Sequence, residues 1–215
     1  HLRSLPANTI KIDQTFVRDM LDDPSDYAII DGIIGLSDSF DRNVIAEGVE
    51  TTNHGLMLLM MGCEEAQGYG IAKPMPADDF PQWLSSYSPN PEWQQCGNKH
   101  RSTKEIKVKL FRLVTEHWRD LFIGNIQSVP ENIEHWPIMN SKRCPCGTWI
   151  ARARQEQLFE VEGLEKLNKT HDALHLVAHS LQLQYEDGNI NAAREGIAEF
   201  QAAFDDVNNA LGLCE

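Results

Sequence analysis

Apolar positions in the first 86 residues follow two different periods. Short apolar runs predict three strands, at 10–13, 44–49 and 69–72. Apolar residues three and four positions apart predict three helices, at 26–40, 51–61 and 78–85. Strands that alternate with helices in this order are typical of a parallel sheet with helices outside it. The pattern therefore predicts an α/β domain.

From residue 104 to residue 215 only the helical period is present, in three rows of side chains spaced three and four apart. The rows are Ile106, Leu110, Leu113, His117 and Leu121; Leu164, Leu167, His171, Leu174, Ala178, Leu181 and Tyr185; and Ile190, Ala193, Ile197, Phe200, Phe204, Val207 and Leu211. A shorter helix that includes Trp149 follows an irregular segment. These rows predict an all-α domain, an antiparallel helical bundle.

Between the two regions the composition changes to turn-forming residues. Ser-Pro-Asn-Pro at 88–91 and Gly-Asn-Lys at 97–99 are typical of a linker. We therefore divide the chain into an α/β domain at 1–86, a linker at 87–103 and an all-α domain at 104–215.

The net charge of -13 argues against partners that carry many phosphates. DNA and RNA are bound chiefly by Lys and Arg, and so are anionic membrane surfaces. No apolar run reaches the roughly 20 residues that cross a bilayer. We expect neither a nucleic-acid partner nor a membrane segment in this sequence.

Five scattered cysteines in a chain of ordinary composition favour a reducing cytoplasm over a disulfide scaffold. The sequence begins with His1 rather than Met. We therefore expect that its natural beginning, with any N-terminal membrane segment, lies upstream.

Polar side chains cluster where the predicted strands end or begin. Lys11 and Asp13 lie on the first strand, Glu47 and Glu50 at the end of the second, and Gln67 just before the third. In parallel α/β barrels reactive groups sit at the carboxyl ends of strands. Carboxylates there hold divalent metal, and a Lys orients water or neutralises phosphate. The spacing alone also fits surface charges at Lys11 and Glu50 and a turn cap at Asp13.

Three segments of this region resemble the EAL domain family. Leu5-Pro6 followed by Ile-Lys-Ile-Asp-Gln-Thr-Phe-Val at 10–17 is similar to its first motif. Val-Ile-Ala-Glu-Gly-Val-Glu-Thr at 44–51 is similar to its second. Gly-Cys at 62–63, Gln-Gly-Tyr at 67–69 and Lys-Pro-Met-Pro at 73–76 are similar to its third.

The resemblance implies a (β/α)8-type barrel that hydrolyses cyclic-di-GMP to pGpG with Mg2+ or Mn2+. It implies that Lys11 helps to activate the attacking water, that Glu47 belongs to the metal and water site, and that Gln67 lines the active site. Asp13 and Glu50 match acidic residues beside the metal cofactor, and Glu50 is expected to support its loop more than the chemistry.

The Glu-Ala-Leu segment, the Asn and Glu ligands that follow it, and the Asp-Asp pair of the family are absent from this sequence. We expect all of them upstream of residue 1. A complete barrel takes about 250 residues, so we expect this chain to be inactive by itself.

A second set of residues suits zinc. His171 and His175 are four apart on a predicted helix and face one side, and His117 lies on an apolar helix face. Cys144 precedes a helix start, where a thiolate is favoured. Three imidazoles and one thiolate suit tetrahedral Zn2+ at about 2.0–2.3 Å. Four protein ligands close such a site, which indicates a structural or sensing role.

Other assignments of these residues remain open. A core histidine is often satisfied by hydrogen bonds alone. Cys146 lies two residues from Cys144 and is the alternative thiol ligand, although we favour Cys144. His179 continues the row and is expected to flank the site.

Residues 105–212 resemble the chemoreceptor zinc-binding (CZB) family. Cys144, Gly147 and Trp149 match its Cys-x-x-Gly-x-Trp signature, and His171 and His175 match its His-x-x-x-His helix. His117 matches the histidine of its first helix. The resemblance implies a helical bundle that binds Zn2+ through His117, Cys144, His171 and His175 and controls an attached domain.

Together these features predict a homodimeric bacterial signalling protein that acts on cyclic-di-GMP, a signal that governs motility and biofilm formation. Two alternatives remain. The barrel is a non-catalytic effector-binding module in one of them, and the histidine-rich bundle holds a diiron or haem cofactor in the other.

Overall fold

A computed structural model describes residues 7–97 and 102–214. Leu5-Pro6 of the first motif, and residues 98–101 of the predicted linker, lie outside the described residues. The chain divides into two compact units, at residues 1–100 and 101–215.

The N-terminal unit is a mixed α/β structure around a small parallel sheet. Its elements are β1 (Thr9–Ile12), α1 (Gln14–Asp19), α2 (Pro24–Ser39), β2 (Asn43–Ala46), α3 (Thr52–Met61), β3 (Glu65–Ala66), a 3-10 turn (Ala77–Asp79), α4 (Phe80–Ser86) and α5 (Pro91–Gly97). The strand order is β1-β2-β3, with Ile12 opposite Ala46 and Ala46 opposite Ala66. A complete barrel around this sheet stays a prediction.

Local sequence signals fix where the helices of this unit begin and end. The Asp13 side chain accepts the Thr15 amide at the start of α1. Thr51 accepts the amide of His54 at the start of α3. Gly62 ends α3 with φ 95°, a left-handed conformation that favours glycine. Asp13, Thr51 and Gly62 therefore set the limits of these helices.

The predicted third strand at 69–72 is wrong. Ile71 and Ala72 donate their amides to the carbonyl of Gly68, so the chain turns there. At Gly68 the backbone has φ 159° and lies so close to Val49 that a Cβ would collide with the Val49 backbone. The pairing strand is Glu65–Ala66, which is too short and polar to show as an apolar run.

Helix α5 lies inside the predicted linker. The Trp93 indole donates to the carbonyl of Thr52 at 2.8 Å. Its ring lies where a Cβ on Gly55 would stand. Helix α5 therefore packs against α3 through Trp93. The linker predicted at 87–103 contains this helix.

The C-terminal unit is helical. Its elements are α6 (Thr103–Gln127), a 3-10 turn (Pro130–Asn132), α7 (Pro145–Gln155), α8 (Val161–Glu186), α9 (Ile190–Glu195) and α10 (Ile197–Gly212). The first predicted apolar row lies on α6 and the second on α8, whereas the third is divided between α9 and α10. A Cβ on Gly196, where they meet, would collide with the Leu181 side chain of α8. The antiparallel bundle stays a prediction.

Aromatic side chains form the core of this unit. Phe111, Phe122, Phe200 and Phe204 are at most 1% exposed. The rings of Phe122 and Phe200 lie 4.7 Å apart between centroids. Within the described ranges, no helix has both the length and the apolar character needed to cross a bilayer.

Candidate functional site

The carboxyl edge of the parallel sheet brings together three predicted site residues. Lys11 lies in β1, and Glu47 and Gln67 directly follow β2 and β3. Lys11 and Glu47 form an ion pair. The Gln67 amide nitrogen donates to Glu47 Oε1 at 3.0 Å. The sequence pattern had placed Gln67 just before the third strand. In the structure Gln67 directly follows that strand.

An open cleft of about 720 Å³ lies at this edge. Its lining includes Glu47, Gln67, Asp13 and Glu50, with aromatic side chains from Tyr69, Phe80 and Trp83. Polar groups at the strand ends and aromatic rings beside them are typical of a site for a small ligand.

Asp13 has a clear local role in the structure. Its carboxylate accepts both the Thr15 amide and the Thr15 hydroxyl at 2.8 Å. The backbone hydrogen bond, helped by the hydroxyl, holds the pKa of Asp13 below its usual value. Asp13 caps α1 while it lines the cleft.

A second candidate site lies in the C-terminal unit, where Cys144, His171 and His175 converge. Cys144 Sγ lies 3.3 Å from His171 Nε2. The two imidazole centroids lie 4.6 Å apart, one turn apart on α8. One ligand atom from each of the three residues lies within 4.8 Å of the others, and all three residues are buried. Among the described residues this is the only such group of three or more His, Cys, Asp or Glu.

The histidines are held in orientations that suit metal ligands. His175 Nδ1 donates to the carbonyl of Met139 at 2.8 Å, which leaves Nε2 as its available lone pair. His171 Nδ1 is buried, and no described residue offers it a hydrogen bond. The His171 nitrogen that faces Cys144 is Nε2. One thiol and two imidazoles are a donor set that fits a thiolate- and imidazole-binding cation.

The surroundings shift the pKa values of the two neighbouring thiols in opposite directions. The contact with the Cys146 thiol, which outweighs burial, and the nearby imidazoles of His171 and His175 hold the pKa of Cys144 far below its usual range. Its Sγ also accepts the Gly147 amide at the start of α7. Burial raises the pKa of Cys146, whose Sγ lies 3.2 Å from Thr115 Oγ1. The surroundings therefore favour the ionised form at Cys144 and oppose it at Cys146.

The structure does not bring His117 into the group of Cys144, His171 and His175. His117 lies half-buried on α6, and its role as the fourth ligand stays a prediction. His179 is exposed on α8.

Asp172 organises the loop before Cys144, which the sequence did not reveal. Its carboxylate accepts the Ser141 hydroxyl at 2.7 Å and the Lys142 ammonium at 2.8 Å. Although partial burial opposes ionisation, these hydrogen bonds hold the pKa of Asp172 below its usual value. The same loop supplies the Met139 carbonyl to His175. A Cβ on Gly147 would collide with the Ser141 carbonyl, so the loop lies tightly on α7.

Residues 1–74 match the model of the EAL domain family. The N-terminal part of the chain is EAL-domain sequence. The EAL segment is 40% identical over 84 residues to a cyclic di-GMP phosphodiesterase of Pseudomonas aeruginosa, PA2567. It is 38% identical over 86 residues to the cyclic di-GMP phosphodiesterase PdeR, and 40% identical over 88 residues to the oxygen sensor protein DosP, both of Escherichia coli.

These matches cover 39%, 40% and 41% of this chain and 14%, 13% and 11% of the respective relatives. The chain therefore spans about one seventh of the length of the curated relatives it matches, or less. A solved EAL enzyme, Bd1971 in its cAMP- and cyclic-di-GMP-bound form, is 36% identical over 39% of this chain and 22% of that chain, with a TM-score of 0.38.

Proposed function

We propose that this chain belongs to a bacterial signalling protein in which a zinc-binding helical domain controls a cyclic-di-GMP phosphodiesterase. The observation that carries the proposal is the convergence of Cys144, His171 and His175 in one unit of a chain whose other unit is EAL-domain sequence. In this proposal the motility and biofilm signal is lowered by the phosphodiesterase and the metal domain adjusts that activity.

In the EAL segment, Glu47 is the centre of the proposed active-site edge. Mg2+ or Mn2+ supplies Lewis-acid activation of phosphate and water when it is bound. Glu47 would hold the metal ion and its water, Lys11 would help to activate that water, and Gln67 would keep the Glu47 carboxylate in place. Glu50 and Asp13 support this edge, because both line the cleft. Cyclic-di-GMP occupies that cleft.

The chain alone is expected to be inactive. Among the described residues of the cleft, no three or more carboxylate or imidazole side chains form a metal-binding group, and a complete barrel takes about 250 residues. Chain 1–215 incubated with cyclic-di-GMP and Mg2+ or Mn2+ should yield no pGpG by chromatography. Turnover that disappears in Glu47→Gln would contradict this expectation.

In the helical domain, Zn2+ is bound by His117, Cys144, His171 and His175, as the CZB resemblance implies. The buried, low-pKa thiolate of Cys144 and the oriented imidazole of His175 support this assignment. Loss of zinc or oxidation of Cys144 changes helix packing. The change reaches the phosphodiesterase through the 87–103 segment or through a dimer interface.

Asp172 supplies a test of how the site is positioned. Asp172→Ala is expected to weaken zinc binding by about 10–100-fold, because it releases the loop that orients His175 and Cys144. The affinity is measured by competition with a chromophoric chelator. Glu165→Ala, which removes an exposed carboxylate from the same helix, is the matched control. Equal affinities in both variants would show that the loop does not position the ligands.

A second candidate function is binding of cyclic-di-GMP without hydrolysis. It is favoured by the aromatic side chains of Tyr69, Phe80 and Trp83, which line the cleft and suit binding of bases without any catalytic role. Calorimetric binding by a protein that carries the complete EAL domain but yields no pGpG would select this function.

A further inference from the structure

The outer face of α8 carries a row of exposed residues that the zinc site does not use. The row, called the outer seam below, is Lys169, Ala173, Leu176, Ser180 and Leu183, followed by Asp187, the residue that caps the carboxyl end of the helix. Leu176 is 73% exposed and Leu183 is 48% exposed. The opposite face of the same helix holds the buried His171 and His175.

The spacing of the outer seam is that of a helix–helix contact. Successive members are separated by four, three, four, three and four residues, which is the alternation that keeps a seam facing a second helix. Residues 173–185 contain no Asp, Glu, Lys or Arg. In a chain of net charge -13, this uncharged stretch is the part of α8 that another copy can approach with least repulsion.

The outer seam is complementary to itself when two copies run antiparallel. A two-fold axis beside residue 178 places Lys169 opposite Asp187, because each is nine residues away. The same axis places Leu183 opposite Ala173 and Leu176 opposite Ser180, so that each large side chain faces a small one. A parallel pairing would instead set each Lys169 against Lys169 and each Asp187 against Asp187.

We propose that the outer seam is the dimer interface of this protein and that its occupant is the outer seam of a second copy. The charge complementarity at the two ends and the large-against-small pairing between them point to this occupant. Because α8 also carries His171 and His175 on its inner face, the interface and the proposed metal site share one helix.

The first test is the concentration dependence of mass in sedimentation equilibrium. The full chain should show a monomer–dimer equilibrium. Leu183→Glu should weaken the dimer by at least about 100-fold, because two apolar contacts become buried charges. Leu213→Glu, which changes a leucine that is 60% exposed outside the seam, is the matched control and should leave the equilibrium unchanged.

The second test is a charge exchange that depends on the antiparallel arrangement. Lys169→Glu and Asp187→Lys should each weaken the dimer by about 5-fold, because each creates like charges across the interface. The double variant should return to within about 2-fold of the original dimer. Rescue of this kind is not expected from any interface that does not pair these two positions.

Two results would overturn the proposal. One is a chain that stays monomeric up to about 1 mM, which would put the dissociation constant of any dimer above the millimolar range. This result is expected if another part of the same chain covers the outer seam. The other is a dimer that Leu183→Glu leaves intact. Zinc content is measured in every variant, so a failure of the dimer and a failure of the proposed metal site are separate results.

Discussion

Replacing Cys144 with alanine should weaken zinc binding by more than about 100-fold, while Cys146→Ala should change it by less than about 10-fold. The difference follows from geometry, because Cys144 Sγ lies 3.3 Å from His171 Nε2 and Cys146 Sγ lies beside the Thr115 hydroxyl. Zinc affinity is measured by competition titration of each purified variant.

The matched control is Cys214→Ala, which removes another buried thiol from the same unit. It should bind zinc as the unaltered chain does, and circular dichroism establishes that each variant is folded. Equal losses in Cys144→Ala and Cys146→Ala, or no loss in Cys144→Ala, would show that the ligand assignment is wrong.

Removing zinc should lower the free energy of unfolding of the C-terminal unit by about 4 kcal/mol when the metal had been present at about 1,000 times its dissociation constant. For a unit of this size the unfolding midpoint should fall by about 15 °C. The effect arises because the folded state binds the metal and the unfolded chain gathers no such site. Tryptophan fluorescence is a suitable signal, since the rings of Trp118 and His175 lie 4.6 Å apart between centroids.

The same scan with Cys144→Ala separates metal binding from other effects of the chelator. In this variant the midpoint should be nearly the same with and without zinc. A midpoint in the unaltered chain that moves by less than about 2 °C on zinc removal would contradict a metal-linked fold.

The helices could be predicted from the sequence because their signals are local. Apolar rows at spacings of three and four persist over many turns in α6, α8 and α10. Gly62 is also a local signal, since a left-handed residue at a helix end favours glycine. The predicted helix start at Cys144 is confirmed, because Cys144 caps α7.

The parts that sequence analysis missed depend on contacts between distant segments. Strand β3 has two residues, one of them charged, and forms because its backbone pairs with β2. Because β3 is so short, the sequence pattern did not show it, and Gln67 was placed before a strand instead of after one. The Met139 carbonyl that orients His175 has no side-chain signature, because any residue supplies a carbonyl. Asp172 is unremarkable in the sequence until its partners Ser141 and Lys142 are seen.

The candidate sites were predicted to different extents. Lys11 and Glu47 lie together at the carboxyl ends of their strands, and Gln67 joins them only because β3 ends just before it, which the sequence did not indicate. Cys144, His171 and His175 also converge, because a four-residue spacing places both histidines on one face of α8. His117 on α6 is not part of that group. The spacing along one helix does not determine how α6 and α8 pack, so the sequence could not place His117 relative to the other ligands.

X-ray absorption at the zinc edge, with metal analysis of purified chain 1–215, shows directly whether Cys144 and the histidines hold zinc. We expect one zinc per chain, bound by one sulfur at about 2.3 Å and by imidazole nitrogens at about 2.0 Å. The sulfur contribution should vanish in Cys144→Ala and persist in Cys146→Ala. If the chain retains no zinc, or if its zinc site lacks sulfur, the proposed metal site is wrong.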